Sequence, residues 1–278
     1  MRRDLRLLTA TVLACVGGAV LAPNAAAVSD GEFPHPLDTS ATFFPLTPGQ
    51  QYRYEGTLNE QGSPPVEHRV VFTVTDLVKT VDGIPSRVIL DQDFNDGKLV
   101  EAELTFFVQD KHANVWTLGE YPEEYEKGKF AGAPNVWISG QGGATGGVLV
   151  PGRPRTGTAP FVQGNAPAIG FFDVGQVIAT GLHVCVPTGC YDGVVEISET
   201  APLAPEDGTQ LKFYAPGIGL VRVTAQGGDV QETLSLTSLT ELGQGAMNQA
   251  RKDALRLDAR GYLNSVDYRS TGPALLGF

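Results

Sequence analysis

Cationic residues are scarce in this chain: 20 Lys and Arg stand against 31 Asp and Glu over 278 residues, a formal net charge of −11. So acidic a surface repels polyanions, which sets nucleic-acid binding aside as a function class. Histidine is also thin. The four, at 35, 68, 112 and 183, show neither HxH nor HExxH spacing, so no metal site is implied. No Ser sits in a G-x-S-x-G elbow, which argues against Ser-dependent hydrolysis. Gly is plentiful, yet "GQGGATGG" has neither the Lys-Ser/Thr of a phosphate loop nor GxGxxG spacing. No cofactor follows from any of these patterns.

Long hydrophobic runs are missing too, except at the N-terminus. Arg2, Arg3 and Arg6 precede an uncharged stretch at 7–22, and Ala25 and Ala27 offer a small-residue cleavage site. This is the pattern of a secretory signal peptide, shorter than the roughly 20 apolar residues that cross a bilayer. Residues 1–27 are expected to be removed and the product secreted or kept in the cell envelope. Cys15 loosely resembles a lipoprotein acylation site, but Leu13 beside it and the apolar run beyond it argue against anchoring there. Loss of the leader takes three Arg and one Asp, leaving 17 basic and 30 acidic residues.

Of three cysteines, Cys15 leaves with the leader. Cys185 and Cys190, in "HVCVPTGCYDG", remain as a pair that an oxidising compartment would join. Pro-Thr-Gly between them is turn material, which places the two across a hairpin. Closing so short a loop contributes about 2 kcal/mol. The rival reading makes His183, Cys185 and Cys190 metal ligands, without the CxxC spacing or second His that would support it.

What the chain does have is strand alternation. In "HRVVFTVTDLV", Val70, Phe72 and Val74 share one face, and the pattern returns in "SRVILDQDF", "GVVEISE", "TQLKFYA" and "GLVRVTA" between Gly, Pro, Asn and Asp turns. Residues 28–47 read as an extended lead-in and 48–243 as one antiparallel β-domain, with a Gly/Pro-rich surface loop or flap at 139–170. Residues 244–278 form a helix and tail, with Met247, Ala250, Ala254 and Leu257 at helical spacing, Gly261 as terminator, and Arg251, Lys252, Arg256 and Arg260 outside. The expected fold is mainly β: a curled antiparallel meander, barrel or half-barrel, with one C-terminal helix. A two-sheet sandwich is the alternative.

Asp91, Asp93 and Asn95 in "DQDFNDGKLVEAELTFFVQDKHANVW" take positions one, three and five of a calcium loop. Asp96 then stands where the turn Gly belongs and Ala102 where a bidentate Glu belongs, so a strand-turn-strand reading is preferred. On the second of those strands Ala102, Leu104, Phe106 and Val108 make an apolar face. Glu101 and Glu103 lie on the other, which ordinarily marks the wet side of a sheet.

"FFPLTPGQQYRYEG", "VQDKHANVWTLGE" and "VPTGCYDGVVEISETAPLAPEDGTQLKFYAPGIGLVRV" resemble an uncharacterised family of secreted bacterial β-proteins with Phe-Pro-Leu-x-Pro-Gly and Tyr-Ala-Pro-Gly-x-Gly-Leu-Val motifs. A more distant resemblance is to half-barrel lipid carriers of the LolA and LppX type. That likeness implies a lipid or other small apolar ligand as partner.

The favoured function is therefore an exported, non-catalytic protein binding an apolar or amphipathic small molecule in a β-sheet cavity, with Phe106, Trp116, Tyr121, Tyr125 and Trp137 as ligand contacts. The alternatives are a secreted hydrolase or lyase using Glu101 and Glu103 as acid and base, or an envelope structural module.

Overall fold

The computed structural model describes residues 31–277. The leader, its cleavage site and Cys15 lie outside the described residues. The chain opens with a lead-in that has no regular strand, followed by β1 (Gln50–Glu60), β2 (Val66–Val81), β3 (Ile84–Asn95), β4 (Lys98–Gln109) and β5 (Val115–Glu126). Two short strands, β6 (Lys129–Gly132) and β7 (Trp137–Ile138), pair with β5. Then come β8 (Thr145–Val150), β9 (Phe161–Ala166), β10 (Phe171–Val186), β11 (Gly189–Thr200) and β12 (Thr209–Ala215). The last elements are β13 (Gly219–Gln226), β14 (Val230–Glu241), the helix α1 (Gln244–Asn264) and β15 (Leu275–Leu276), which pairs with β2.

Neighbouring strands run antiparallel around the order β1-β14-β13-β12-β11-β10-β9-β8-β5-β4-β3-β2, and β1 pairs with β2 as well as β14. The sheet is thus a closed barrel of twelve strands. Closure leaves no long free edge, the liability that a half-barrel or sandwich would have to manage. Turn chemistry fixes the register locally. Asp96 and Gly97 both take positive φ, +48° and +74°, the two-residue hairpin geometry for which Asp-Gly is suited. The stretch at 139–170, expected to be a surface loop, instead supplies β8 and β9 to the wall. Its small residues are needed there: a Cβ on Gly147 would sit 2.3 Å from the carbonyl oxygen of Val162.

Two cores flank the wall. Inside, Tyr52, Val74, Val177, Ile197, Tyr214 and Leu236 pack with Phe44 and Leu46 of the lead-in. The Phe44 ring lies 5.7 to 6.0 Å from Phe72, Phe107 and Tyr214, on three different strands, so the Phe-Pro-Leu segment sits within the barrel. Outside, Ala250, Ala254 and Leu257 of α1 cover Leu77, Leu104 and Phe106. Strands β3 and β4 are consequently buried on both faces.

The helix is held by charge as well as area. Lys79 Nζ, with no exposed surface, donates to Asp258 Oδ1 (2.6 Å), Tyr262 Oη (2.8 Å) and Gly272 O (2.7 Å). Arg251 pairs with Asp76 at 2.5 Å and Arg260 with Glu123. Gly261 does not terminate the helix, which continues to Asn264. Its role is close approach: a Cβ there would lie 2.5 Å from the Tyr268 ring.

Candidate binding cavity

Alternation along β4 places Glu101, Glu103, Thr105 and Phe107 inward and Ala102, Leu104, Phe106 and Val108 outward, under the helix. The sequence expectation for this strand is inverted. Its apolar face is the outer one because α1 covers it, and its acids point into the barrel. They meet acids from the adjacent strand: Asp91 is the register partner of Glu103, and Asp93 that of Glu101.

A cavity of about 390 Å³ opens in the half of the barrel nearest the β3–β4 and β11–β12 connections. Asp91, Glu101 and Glu103 line it from one side, Glu120 of β5 continues that wall, and Asp173, Glu199 and Asp207 face them. Among the described residues, Lys212 is the sole cationic side chain in the lining. Aromatic rings contribute as well, with Phe44, Phe72 and Phe107 at the apolar end and Trp137 stacked on Phe171 at 5.4 Å.

Some acids have partners and others do not. Lys212 is paired with Glu199, which also accepts from Gln163 Nε2 at 2.8 Å. Glu120 accepts from Trp137 Nε1 (2.9 Å), and Glu103 from Thr105 Oγ1 (2.9 Å). Asp93, Glu101 and Asp173 receive no side-chain hydrogen bond among the described residues. Below them His68 is bracketed by Asn95 Oδ1 at 2.7 Å and Glu232 Oε1 at 2.9 Å.

Burial dominates the proton affinities. Desolvation, reinforced by neighbouring carboxylates, pushes Asp93, Glu103 and Glu120 up to about 8 and Asp173 to about 7. Asp91 and Glu101 are raised well above the ordinary carboxylate range for the same reasons. For His68 burial opposes the charge, but Glu232 and Asn95 outweigh it and hold the imidazole above its usual value. Desolvation and mutual repulsion thus favour the protonated form of the cavity carboxyls.

The expected contact residues separate. Trp137 lines the cavity. Phe106 and Tyr121 lie in the outer core under α1, with Tyr121 4.9 Å from Tyr268. Tyr125 donates to Glu123 beside Arg260, and Trp116 packs edge-on against Phe33 while donating to Asp110. Sequence reasoning passed over Asp173, Glu199 and Lys212. Their signal was the same one that marks Glu101 and Glu103, a charge at an inward register position of an alternating strand.

No three cavity acids among the described residues bring their carboxylate oxygens within 4.8 Å of one another. Among the described residues, the side chains whose ligating atoms all fall within 4.8 Å of one another are His183, Cys185 and Cys190, on the surface and not in the cavity. Those two cysteines are joined as a disulfide, as expected, so their sulfurs are not thiolate ligands. No helix among the described residues is long and apolar enough to cross a membrane.

Comparison with known proteins adds little to this picture. No family model matches the chain, and no curated protein matches it. Among solved structures, a candidate exported protein with a YmcC-like fold from Bacteroides fragilis NCTC 9343 is 15% identical, the match covering 72% of this chain and 99% of that one at a TM-score of 0.38. A candidate lipoprotein from Parabacteroides distasonis ATCC 8503 is 16% identical, with 72% and 99% covered at a TM-score of 0.34. Both likenesses are loose, and the cavity stands on this chain's own residues.

Proposed function

We propose that this is an exported binding protein whose barrel cavity holds a small amphipathic organic cation bearing two or more ammonium or guanidinium groups. One observation carries the reading: seven carboxylates and a single lysine share a cavity with aromatic rings. Cations gain from both surfaces, through ion pairing with carboxylates and through the faces of Trp137 and the Phe rings. Among the described residues no three of the acids bring ligating oxygens within 4.8 Å of one another, a layout suited to a molecule with separated positive centres. A purely hydrocarbon ligand would leave Glu101 and Asp173 facing alkyl chain, so the amphipathic half of the original expectation is kept and the apolar half dropped. Export rests on the leader expected at 1–27.

Titration calorimetry with spermidine, an aromatic diamine and palmitate tests this. The amines should bind with release of protons, more tightly as pH rises from about 6 to about 8.5, and more weakly in high salt. Glu101→Gln combined with Glu103→Gln should weaken them at least tenfold. Binding of palmitate alone would overturn the reading.

A second reading takes Glu103 as a general acid, because it faces the cavity and stays protonated near neutral pH. Its mark would be a turnover lost in Glu103→Gln while amine binding persists.

A further inference from the structure

The β10–β11 hairpin ends at the opposite pole of the barrel from the acidic cavity, with a two-residue turn between Val186 and Gly189. Cys185 and Cys190 are cross-strand partners there and both are exposed. A buried brace has no access to solvent; this bond is open to it. Close by stand three polar groups. His183 Nε2 lies 3.4 Å from Cys185 Sγ, and His183 Nδ1 lies 2.6 Å from Asp192 Oδ1. The Arg222 guanidinium donates to the carbonyl of Cys185.

This order of groups, carboxylate to imidazole to sulfur, is the one that stabilises a thiolate. Asp192 holds the ring with Nδ1 as donor, which leaves Nε2 aimed at the sulfur, and a proton there makes an imidazolium that pairs with S⁻. The asymmetry matters: Cys185 Sγ is the sulfur at hydrogen-bond distance from His183 Nε2, while Cys190 Sγ lies within 4.8 Å of the same ring. A hairpin already registered by its own backbone pairs gains little from a covalent tie over so short a loop, about 2 kcal/mol on chain entropy. Nothing in that structural role calls for the His–Asp pair.

We propose that the Cys185–Cys190 bond is a reversible thiol–disulfide exchange site for an exported dithiol, with Cys185 as the reactive sulfur and His183 as its positioning residue. A thiolate of the dithiol attacks Cys185 Sγ; the bond to Cys190 breaks, and Cys190 leaves with the electron pair and takes a proton from solvent. The second thiolate of the dithiol then attacks its partner sulfur in the mixed disulfide. That bond breaks, and Cys185 leaves as a thiolate held by the His183 imidazolium. The dithiol ends as a disulfide, and the two cysteines end reduced, a two-electron exchange that runs backwards when a disulfide substrate is supplied.

The experiment follows iodoacetamide alkylation of Cys185 against pH in Cys190→Ser, with dichroism confirming the barrel. The expected half-maximal pH lies at least about one unit below the 8.5 of an ordinary thiol and returns toward it in His183→Ala. The same Cys190→Ser protein should accumulate a mixed disulfide with oxidised glutathione. Should Cys190→Ser fail to fold, the intact pair is equilibrated in glutathione buffers instead: His183→Ala should shift the equilibrium several-fold toward the disulfide, because the reduced state loses its thiolate partner. A midpoint at the ordinary thiol value that His183→Ala leaves unmoved, or a disulfide that resists millimolar dithiothreitol in the folded protein, overturns the proposal.

Discussion

Asp91 and Glu103 stand directly opposite each other on β3 and β4, both aimed into the barrel. Like charges directly opposite on neighbouring strands oppose pairing, the more so where water is thin. Burial raises the proton affinity of both carboxyls, which lessens the charge each presents to the other.

Stability should therefore fall with rising pH. Asp93 and Glu103 titrate at about 8 when folded, against about 4 in an unfolded chain. Between those values the folded state holds protons that the unfolded state has lost, so the contribution is full at the acid end and is lost as pH climbs to about 8. Thermal melts of the ligand-free protein should show a lower Tm at pH 8.5 than at pH 5.5, with the slope reduced in Glu103→Gln, whose advantage over wild type should grow toward the alkaline end.

Ligand occupancy should be visible by fluorescence. Trp137 lines the cavity whereas Trp116 packs against Phe33 outside it. An amine that binds should change the emission of wild type and of Trp116→Phe, and the change should vanish in Trp137→Phe. Retention of the change in Trp137→Phe would place the ligand elsewhere.

Removing one member of the buried Lys79–Asp258 pair should cost about 3–5 kcal/mol in urea unfolding, because Lys79→Met strands a carboxylate in the outer core. Lys79→Met with Asp258→Leu should recover most of that loss. If the double variant is as weak as the single, the pair is not the source.

Gly261→Ala tests packing against propensity. In an open helix the change would gain roughly 1 kcal/mol. Here the added methyl meets the Tyr268 ring at 2.5 Å, so a net loss of about 1–3 kcal/mol is expected, read as a lower Tm.

Much of the architecture was legible because local rules decide it. Alternating valines, the Asp96–Gly97 turn and the spacing of Ala250, Ala254 and Leu257 each name their element without long-range information. What could not be read was which face of β4 points inward, since an apolar face is equally satisfied by a barrel interior or by a covering helix. Glu101 and Glu103 looked wet for that reason. The same ambiguity moved Phe106 and Tyr121 from the expected ligand contacts to the outer core, and small residues at 139–170 hid two strands whose backbones approach too closely for side chains. The disulfide, by contrast, followed from the even pair of cysteines and the Pro-Thr-Gly turn between them.

The seam of the barrel lies at β1, which pairs with β2 beside it in sequence and with β14, where Gln50 meets Glu241. The ring cannot shut until nearly the whole β-domain has been delivered. Contacts of such sequence separation make folding slow. A barrel shut by its first and last strands keeps its inward acids hydrated until β14 has been made, so the acid-lined chamber is the last part of the sheet to exist.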